Sequence, residues 1–270
     1  YCLYLSDKNR PEMKKNFFLL AAVLLCVCGT AFGWGKTGHD AIAYIAECNL
    51  TPRAKKNIGK YLDGRSIVYY ASWMDAVRAT EPYRATSKWH GFDADAECRY
   101  VPRPAEGDAV LGIEDAMEKL RGYRRQDDST VRVAICCLVH LVGDMHCPTH
   151  VKYPWYSSFK FELNGRKCAF HGFWDTEALE LNHRWGYEDY RYQLDRCPKS
   201  ERRALAAGTP REWAAENARN CRVIYDWIKP GDTLDKARTS AYLMTVQPLA
   251  EAQVLKAGYR LARILNEIFG

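Results

Sequence analysis

The chain has 270 residues, of which 47% are hydrophobic and 27% are charged, and its net charge is +6. This hydrophobic fraction excludes a disordered chain, and the length suits one large domain or two small ones. Residues 1–33 contribute four basic and two acidic side chains, so the remainder has a net charge of +4. Such a mild excess is compatible with a polyanionic partner but does not by itself indicate one.

The N-terminal residues have the pattern of a secretory signal. Met13 is followed by two lysines, and the apolar run at 17–28 is too short to span a membrane comfortably. The small residues Ala31 and Gly33 then stand at the positions that a signal peptidase recognises. We therefore predict an upstream extension and signal peptide over 1–33, with cleavage after Gly33, and one folded domain over 34–270. The protein is expected to be secreted or periplasmic, without a lipid anchor.

Eight cysteines follow the predicted cleavage site, and none of them forms a C-x-x-C pair. A zinc site made of cysteines is therefore not expected. In an oxidising compartment some of these residues should pair as disulfides, although the sequence leaves the connectivity open.

Helical periodicity dominates residues 34–270. In chain order it predicts helices in 37–58 (restarting at Thr51-Pro52), 67–77, 112–120, 130–145, 176–182, 210–227 and 234–268, with a loop at 98–110. The segment 130–145 is apolar nearly all round, which indicates a buried helix. Residues 159–170 alternate around Asn164-Gly165, a strong signal for a β-hairpin. We predict a mainly α, single-domain fold with one small β-hairpin.

The end of the predicted buried helix carries three histidines and an aspartate within eleven residues. His140 and Asp144 are four residues apart and therefore lie on one helical face. Pro148 ends the helix, and His150 follows in a segment that can fold back. Imidazole and carboxylate groups that converge at such a bend favour a divalent ion such as zinc.

Further histidines and aspartates repeat this pattern elsewhere. His171 and Asp175 are also four apart, and Asp75, His90 and His39 stand in apolar settings. One histidine on an apolar helix is more often a hydrogen-bonded core residue, and one H-x-x-x-D spacing is common by chance. Together, however, these positions predict a site for several metal ions. His146 is offset from Asp144 and is expected at the surface or in a supporting role, and His183 is expected to be solvated.

Five segments carry a resemblance to a known family. They are Trp-Gly-x-x-Gly-His at 34–39, Ala-Ser-Trp-x-Asp at 71–75, Leu-Val-His-x-x-Gly-Asp-Met with Pro-x-His at 138–150, His-x-x-x-Asp at 171–175, and Ala-Gly-Tyr-Arg-Leu-Ala with Leu-Asn-Glu-Ile at 257–268. In order and spacing they resemble the zinc-dependent S1/P1 nuclease family over the whole of 34–270. That family, which includes a bacterial zinc phospholipase C relative, is mainly α-helical, so the resemblance implies this fold and three Zn²⁺ ions.

The resemblance also implies which residues hold each ion. The first zinc would be held by Asp75, His90, His140 and Asp144. The second would be held by His150, His171 and Asp175. The third would be held by His39, by Asp144 as a bridge, and by the α-amine and carbonyl of Trp34. This amine is free only after cleavage following Gly33.

The implied chemistry is hydrolysis of a phosphodiester. Two zincs that share Asp144 would lie roughly 3.5–4 Å apart, close enough to deprotonate a water between them, and the remaining zinc would stabilise the leaving 3′ oxygen. In the family a basic residue three positions after the aspartate corresponding to Asp75 contacts the phosphate, and Arg78 stands there. Without the resemblance, a solvated arginine is about as good an interpretation. The predicted catalytic residues are Asp75, Arg78 and Asp144, and the product would carry a 5′-phosphate.

The predicted substrate-binding residues are Phe92 and Asp93. Family nucleases often stack the base on an aromatic residue directly after the histidine of the first zinc, but Gly91 stands here and only the aspartate of that pocket is kept. Ala169 likewise replaces a usual asparagine. Tyr153, Trp155 and Tyr156 could offer another stacking surface, or could pack under the β-hairpin.

The leading interpretation is an exported zinc-dependent endonuclease, a monomer, that acts on single-stranded DNA and RNA, and 3′-nucleotidase activity could accompany it. A phospholipase C on the same scaffold is the nearest alternative, although that relative has a glutamate where this chain has Asp175. A non-catalytic zinc-binding protein is the alternative from another class. Mixed histidine and aspartate sites with a shared carboxylate disfavour it, because they leave positions open for water.

Overall fold

A computed structural model describes residues 34–152, 158–181 and 183–270. The predicted signal segment lies outside these ranges, as do the proposed stacking residues Tyr153, Trp155 and Tyr156. Among the described residues, no helix combines the length and the apolar character needed to cross a membrane.

The two helices predicted at the start of the domain are confirmed as α1 (Lys36–Cys48) and α2 (Pro52–Tyr61). The side chain of Thr51 accepts a hydrogen bond from the Ala54 amide and so caps α2. Proline is well placed at the first position of α2, because its missing N–H would have no partner there.

The predicted helix over 67–77 is divided in two. A 3₁₀ turn (Ile67–Tyr70) precedes a short helix, α3 (Trp73–Val77). Ser72 separates them with φ −104° and ψ 18°, torsions outside the helical region. The apolar spacing therefore predicted helical structure here but not the break.

The central helices are confirmed with slightly wider bounds. They are α4 (Ala109–Arg121) and α5 (Asp128–His146). Asp127 caps α5 by accepting a hydrogen bond from the Thr130 amide, and every residue from Ala134 to His146 is buried. Helix α5 is therefore the core of the domain, and its C-terminal end lies inside the protein.

Residues 170–180 form one helical stretch interrupted by a π-helical segment. Its parts are α6 (Phe170–Gly172), the π segment (Phe173–Glu177) and α7 (Ala178–Glu180). The prediction of a helix at 176–182 covered only its second half. Such π segments often occur at functional sites.

Four helices make up the C-terminal part of the described chain. They are α8 (Tyr187–Leu194), α9 (Lys199–Ala206), α10 (Pro210–Trp227) and α11 (Lys236–Phe269). The last two confirm the predictions, and Thr209 with Glu212 forms a capping box at the start of α10. Helices α8 and α9 were not predicted, because these short helices are mostly polar and offer little apolar periodicity.

The described residues contain two small sheets of three strands, where the sequence analysis predicted one hairpin. The first sheet has the order β2-β1-β3, and the second has the order β5-β4-β6. Their strands are β1 (Phe92–Ala94), β2 (Tyr100–Val101), β3 (Val151–Lys152), β4 (Lys160–Leu163), β5 (Arg166–Ala169) and β6 (Thr233–Leu234). The predicted hairpin is β4–β5, with Asn164 and Gly165 at φ 51° and 78°, as its tight turn requires.

The strands that were missed are two or three residues long, too short to show an alternating pattern. One of their pairings positions the functional site. β1 and β3 run parallel with Phe92 opposite Val151, so that His90 and His150 approach each other although sixty residues separate them. The mainly α fold class is confirmed, with more β structure than expected.

Candidate metal centre

Helix α5 provides two fully buried side chains of the centre, His140 and Asp144, one turn apart. The 3₁₀ turn that begins at Pro148 carries His150 back toward the helix end. The remaining predicted side chains come from elements far apart in the chain: His39 from α1, Asp75 from α3, His90 just before β1, His171 from α6 and Asp175 from the π segment.

The first group of side chains is formed by Asp75, His90 and His140, whose potential ligand atoms all lie within 4.8 Å of one another. His90 Nδ1 is 3.1 Å from His140 Nε2 and 2.8 Å from Asp144 Oδ2. Asp75 Oδ1 lies 3.7 Å from His90 Nδ1 and 3.8 Å from His140 Nε2. The four residues predicted for the first zinc are thus in one place.

The second group shares Asp144 with the first. Asp144 Oδ1 is 3.2 Å from His39 Nε2, while Oδ2 is 3.1 Å from His140 Nε2. The His39 and His140 rings stack with centroids 4.2 Å apart and an interplanar angle of 12°. The two oxygens of this one carboxylate therefore face two neighbouring groups of histidines.

The third group contains His150, His171 and Asp175. His150 Nε2 and His171 Nε2 are 3.2 Å apart, and His171 Nε2 is 3.2 Å from Asp175 Oδ2. Cys147, which the sequence analysis did not assign to a site, also belongs here, with its Sγ 3.7 Å from Asp175 Oδ1. Its only signal in the sequence was its place between Asp144 and His150.

The donor atoms of these groups fit divalent cations. Several of the atoms that face one another in these groups are buried and make no hydrogen bond of good geometry among the described residues: His39 Nε2, Asp75 Oδ1, Asp144 Oδ1 and Asp175 Oδ2. Burying such atoms without a partner is costly, and a cation removes that cost. Nitrogen and carboxylate donors together are typical of zinc.

The outer ring nitrogens of two of the histidines also have the bonds that metal-binding histidines usually make. His140 Nδ1 lies 2.8 Å from the Ala71 carbonyl oxygen, and His150 Nδ1 is hydrogen-bonded to the His90 carbonyl. In a neutral ring the proton must then be on Nδ1, because a carbonyl only accepts. This leaves the Nε2 lone pair of each ring free to bind a metal.

The pKa shifts show that the buried carboxylates favour positive charge on the neighbouring histidines. Burial would lower the pKa of His140, but Asp144 and Asp75 raise it, and Asp144 and Asp175 likewise raise the pKa of His150 to about 9. Burial would raise the pKa of Asp144, but the two histidines hold it well below its usual range. Without a cation, protons on histidine therefore balance this carboxylate.

Trp34 begins the described residues and is fully buried. The next residue, Gly35, donates its amide to the backbone carbonyl of Asp175. A Cβ at Gly38 would lie 2.8 Å from the Cβ of Trp34, so a glycine is required for this approach. The backbone of Trp34, which was predicted to bind the same zinc as His39 and Asp144, thus lies next to the contact of Gly35 with Asp175.

Arg78 lies next to the first group, as predicted. Its Nη1 atom is 3.7 Å from Asp75 Oδ1, and its side chain is 16% exposed. A guanidinium at this distance can reach an anion held at the edge of the centre.

Phe92 and Asp93 occupy different environments. Asp93 is 25% exposed and lies 3.8 Å from the Nε of Arg103. Phe92 is 1% exposed and contacts the Tyr100 ring edge-on, and this burial speaks against the predicted substrate contact.

A Cβ at Gly91 would lie 2.8 Å from the His150 carbonyl oxygen. An aromatic side chain at position 91 would therefore require the backbone at His150 to move.

His146 is fully buried and lies outside the three groups, which excludes the first of the two predicted alternatives, a surface position, and leaves the supporting role. Its Nδ1 atom donates to the Val142 carbonyl at 2.7 Å, and Arg260 Nη1 donates to its Nε2 at 2.8 Å. Burial and the Arg260 charge lower the pKa of His146 to about 3. His183 is half-buried, stacks on Trp185 and pairs with Glu251.

This pKa predicts how His146 affects acid stability. The unfolded chain takes up a proton near pH 6.5 and the folded chain only near pH 3, so the free energy of unfolding falls as the pH drops below 6.5. Between pH 6.5 and 5 this one group should cost about 1.5 kcal/mol. His146→Gln keeps an acceptor for Arg260 but cannot be protonated, so its urea-unfolding free energy should fall less steeply over that range. Parallel curves for the two proteins would contradict this explanation.

Gly143 allows His39 to approach α5. A Cβ at position 143 would lie 2.8 Å from His39 Nδ1, and the ring cannot move away easily because it is buried and stacked on His140. Gly143→Ala should therefore lower the zinc content by one ion and reduce phosphodiesterase activity at least about tenfold. Elemental analysis and initial rates measure both effects.

Gly59→Ala is the matched control for this substitution. A Cβ at position 59 meets nothing within 4 Å, and the residue lies in the interior of α2. This variant should keep its zinc and gain about 0.5–1 kcal/mol of stability. If Gly143→Ala behaved in the same way, the close contact with His39 would be unimportant.

All eight cysteines of the described residues are free thiols. The predicted disulfide pairing is therefore not found. Burial raises the pKa of several of these thiols, and it raises that of Cys136 and of Cys137 to about 12.

Comparison with known proteins agrees with the resemblance found in the sequence. The family model for S1/P1 Nuclease matches residues 34–270. Endonuclease 2 of Arabidopsis thaliana is 24% identical, over 97% of this chain and 99% of the relative. Nuclease P1 of Penicillium citrinum is 25% identical, over 88% and 98%, and Nuclease S1 of Aspergillus oryzae is 23% identical, over 92% and 96%. The chain therefore belongs to the S1/P1 nuclease family and is a hydrolase that acts on ester bonds.

Proposed function

We propose that the chain is an exported, zinc-dependent endonuclease that cleaves single-stranded DNA and RNA and leaves 5′-phosphates. The observation that carries this proposal is the sharing of Asp144 between two groups of histidines, 3.2 Å from His39 and 2.8 Å from His90. A carboxylate in this position would hold two ions close together, and two neighbouring ions can stabilise both the attacking and the leaving oxygen of a phosphodiester.

The proposed ligand sets follow the three groups of side chains. Asp75, His90, His140 and Asp144, which form the first group and its shared carboxylate, hold the first zinc. His150, His171 and Asp175, which form the third group, hold the second zinc. His39, Asp144 and the amine and carbonyl of Trp34 hold the third. The distances within each group and the buried donor atoms support the side-chain part of this assignment, and the place of Trp34 follows from the resemblance to the family.

Zinc bound at such a centre supplies Lewis acidity toward the phosphate and activates water for attack. The protein's own residues provide the remaining steps. Asp144 and Asp75 fix the ions by their negative charge, and Arg78 binds a non-bridging phosphate oxygen next to Asp75. Positive charge at that place stabilises the extra negative charge of the transition state.

The substrate class is supported by the relatives, which are named as endonucleases and nucleases. Asp93 is partly exposed beside the centre and is proposed to bind the nucleotide base, whereas Phe92 is not retained in this role. With glycine at position 91, we expect weaker discrimination among bases than an aromatic platform would give. The signal-like pattern of residues 1–33 supports export, and 3′-nucleotidase activity is a further expectation.

Phospholipase C activity is the second candidate on this scaffold. It is disfavoured because the lipid-cleaving relative has glutamate where this chain has Asp175. A zinc-binding protein without catalysis is disfavoured because the site of His150, His171 and Asp175, with only three ligands, leaves room for water.

One assay separates the three possibilities. Residues 34–270, loaded with zinc, are incubated with single-stranded DNA, single-stranded RNA and phosphatidylcholine vesicles. We expect cleavage of both nucleic acids to 5′-phosphate products and no release of diacylglycerol. Cleavage of lipid alone would overturn the nuclease proposal, and a fully loaded protein that cleaves nothing would favour zinc binding without catalysis.

A further inference from the structure

Three helices meet at the C-terminal end of α5, and their polar side chains form a buried network outside the metal centre. Asn217 of α10 donates from Nδ2 to the Met145 carbonyl at 2.8 Å and to the Cys147 carbonyl at 3.0 Å. Gln253 of α11 donates from Nε2 to the His146 carbonyl at 3.1 Å. We call Asn217 and Gln253 the amide clamp.

The amide clamp is completely enclosed. Both side chains are 1% exposed, and Gln253 Nε2 also donates to Asn217 Oδ1 at 2.9 Å. Asn220 donates to Gln253 Oε1 at 3.0 Å and so fixes the orientation of the second amide. The last carbonyls of a helix have no hydrogen-bond donor within the helix. Here side chains from two other helices, α10 and α11, supply the donors. Every donor and acceptor in such a network stabilises the orientation of the next.

The three carbonyls that the clamp binds belong to consecutive residues, 145–147, directly after Asp144 and shortly before His150. These two residues serve different groups of the centre, since Asp144 is shared by the first two and His150 belongs to the third. The position of His150 relative to Asp144 thus depends on the path of residues 145–147. The clamp fixes that path at each of the three residues.

A second contact supports the same segment. Arg260 donates to His146 Nε2 at 2.8 Å, and Glu216 pairs with the guanidinium of Arg260. The Arg260 side chain is 4% exposed and lies over the Trp213 ring. The side chain of His146 and its carbonyl are therefore both bound by α11.

We propose that Asn217 and Gln253 are positioning residues for the metal centre, which hold Asp144 and His150 in the relative position that metal binding requires. The proposal rests on the proposed function as far as the centre binds metal ions, but it does not require that nucleic acid is the substrate. Groups that orient metal ligands from behind typically contribute ten- to a hundredfold to metal affinity or activity. A displacement of about 1 Å at a reacting centre can have an effect of similar size.

The test uses Asn217→Leu, which has a similar volume and no donor, and Asn57→Leu as the matched control. Asn57 also donates from Nδ2 to a carbonyl at the end of a helix, that of Phe269 in α11 at 2.9 Å, but it binds none of the three carbonyls and lies outside the network. Metal-free protein is titrated with Co²⁺, whose visible absorption reports ligand geometry and affinity independently of activity. Far-UV circular dichroism and thermal unfolding of the metal-free proteins report the fold.

We expect Asn217→Leu to bind Co²⁺ ten- to a hundredfold more weakly with an altered spectrum, and to lower kcat while leaving KM unchanged. Asn57→Leu should stay within about twofold of the wild type in affinity, because it removes the same kind of bond away from the centre. An Asn217→Leu protein with a lower melting temperature but an unchanged Co²⁺ spectrum and affinity would overturn the proposal, because the clamp would then only stabilise the fold.

If Asn217→Leu does not fold, Gln253→Met provides the same comparison with the loss of one carbonyl bond, and its Co²⁺ affinity should still fall. Unchanged affinity in a folded Gln253→Met protein would equally overturn the proposal. A wild type that binds Co²⁺ but cleaves no nucleic acid would disprove the proposed function alone.

Discussion

Replacing Asp144 with asparagine should remove both ions that share this carboxylate and reduce activity at least about a hundredfold. Its two oxygens lie 3.2 Å from His39 and 2.8 Å from His90, so one side chain serves two groups. Asparagine has the same shape but lacks the negative charge and can offer only one oxygen. Elemental analysis should find one zinc per chain in Asp144→Asn, against three in the wild type.

Asp115→Asn is the matched control for this substitution. Asp115 lies on the exposed face of α4 and pairs with Lys119, so the same chemical change there should leave zinc content and activity unchanged. An Asp144→Asn protein that keeps three zincs would refute the bridging role of the carboxylate.

The second large effect concerns the start of the folded domain. If the α-amine of Trp34 is a ligand, a chain that keeps Gly33 should lose one zinc and at least about a hundredfold of its activity. An amide nitrogen has no lone pair to offer, whereas a terminal amine does. Trp34 is fully buried, and the adjacent Gly35 amide donates to the Asp175 carbonyl, so the first residues of the domain lie next to the centre.

Two preparations test this effect directly: residues 34–270, and the same chain with Gly33 retained. A third chain that carries one extra glycine after Gly270 controls for the added residue. Equal zinc content and equal activity in all three would show that the terminal amine plays no part.

The side chains of the centre were the most predictable feature of the sequence. His140 with Asp144, and His171 with Asp175, follow the four-residue spacing that places side chains on one helical face. The β4–β5 hairpin was equally clear, because Asn164 and Gly165 suit the left-handed torsions of its turn. In each case neighbouring residues determine the structure.

The features that were missed depend on contacts between distant residues. The pairing of Phe92 with Val151 brings His90 to His150, but strands of two or three residues leave no periodic signal. The same pairing explains the burial of Phe92. The position of Cys147 beside Asp175 likewise depends on packing. Single histidines were ambiguous for the same reason: His146 was correctly placed outside the centre, but its burial against Arg260 depends on α11.

The zinc content of residues 34–270, measured together with activity during removal and return of zinc, tests the central claim most directly. A protein stripped by a chelator should be inactive, and its activity against single-stranded DNA should be restored fully only as the ratio approaches three zincs per chain. Full activity in the metal-free protein, or with a single bound ion, would contradict the trinuclear centre.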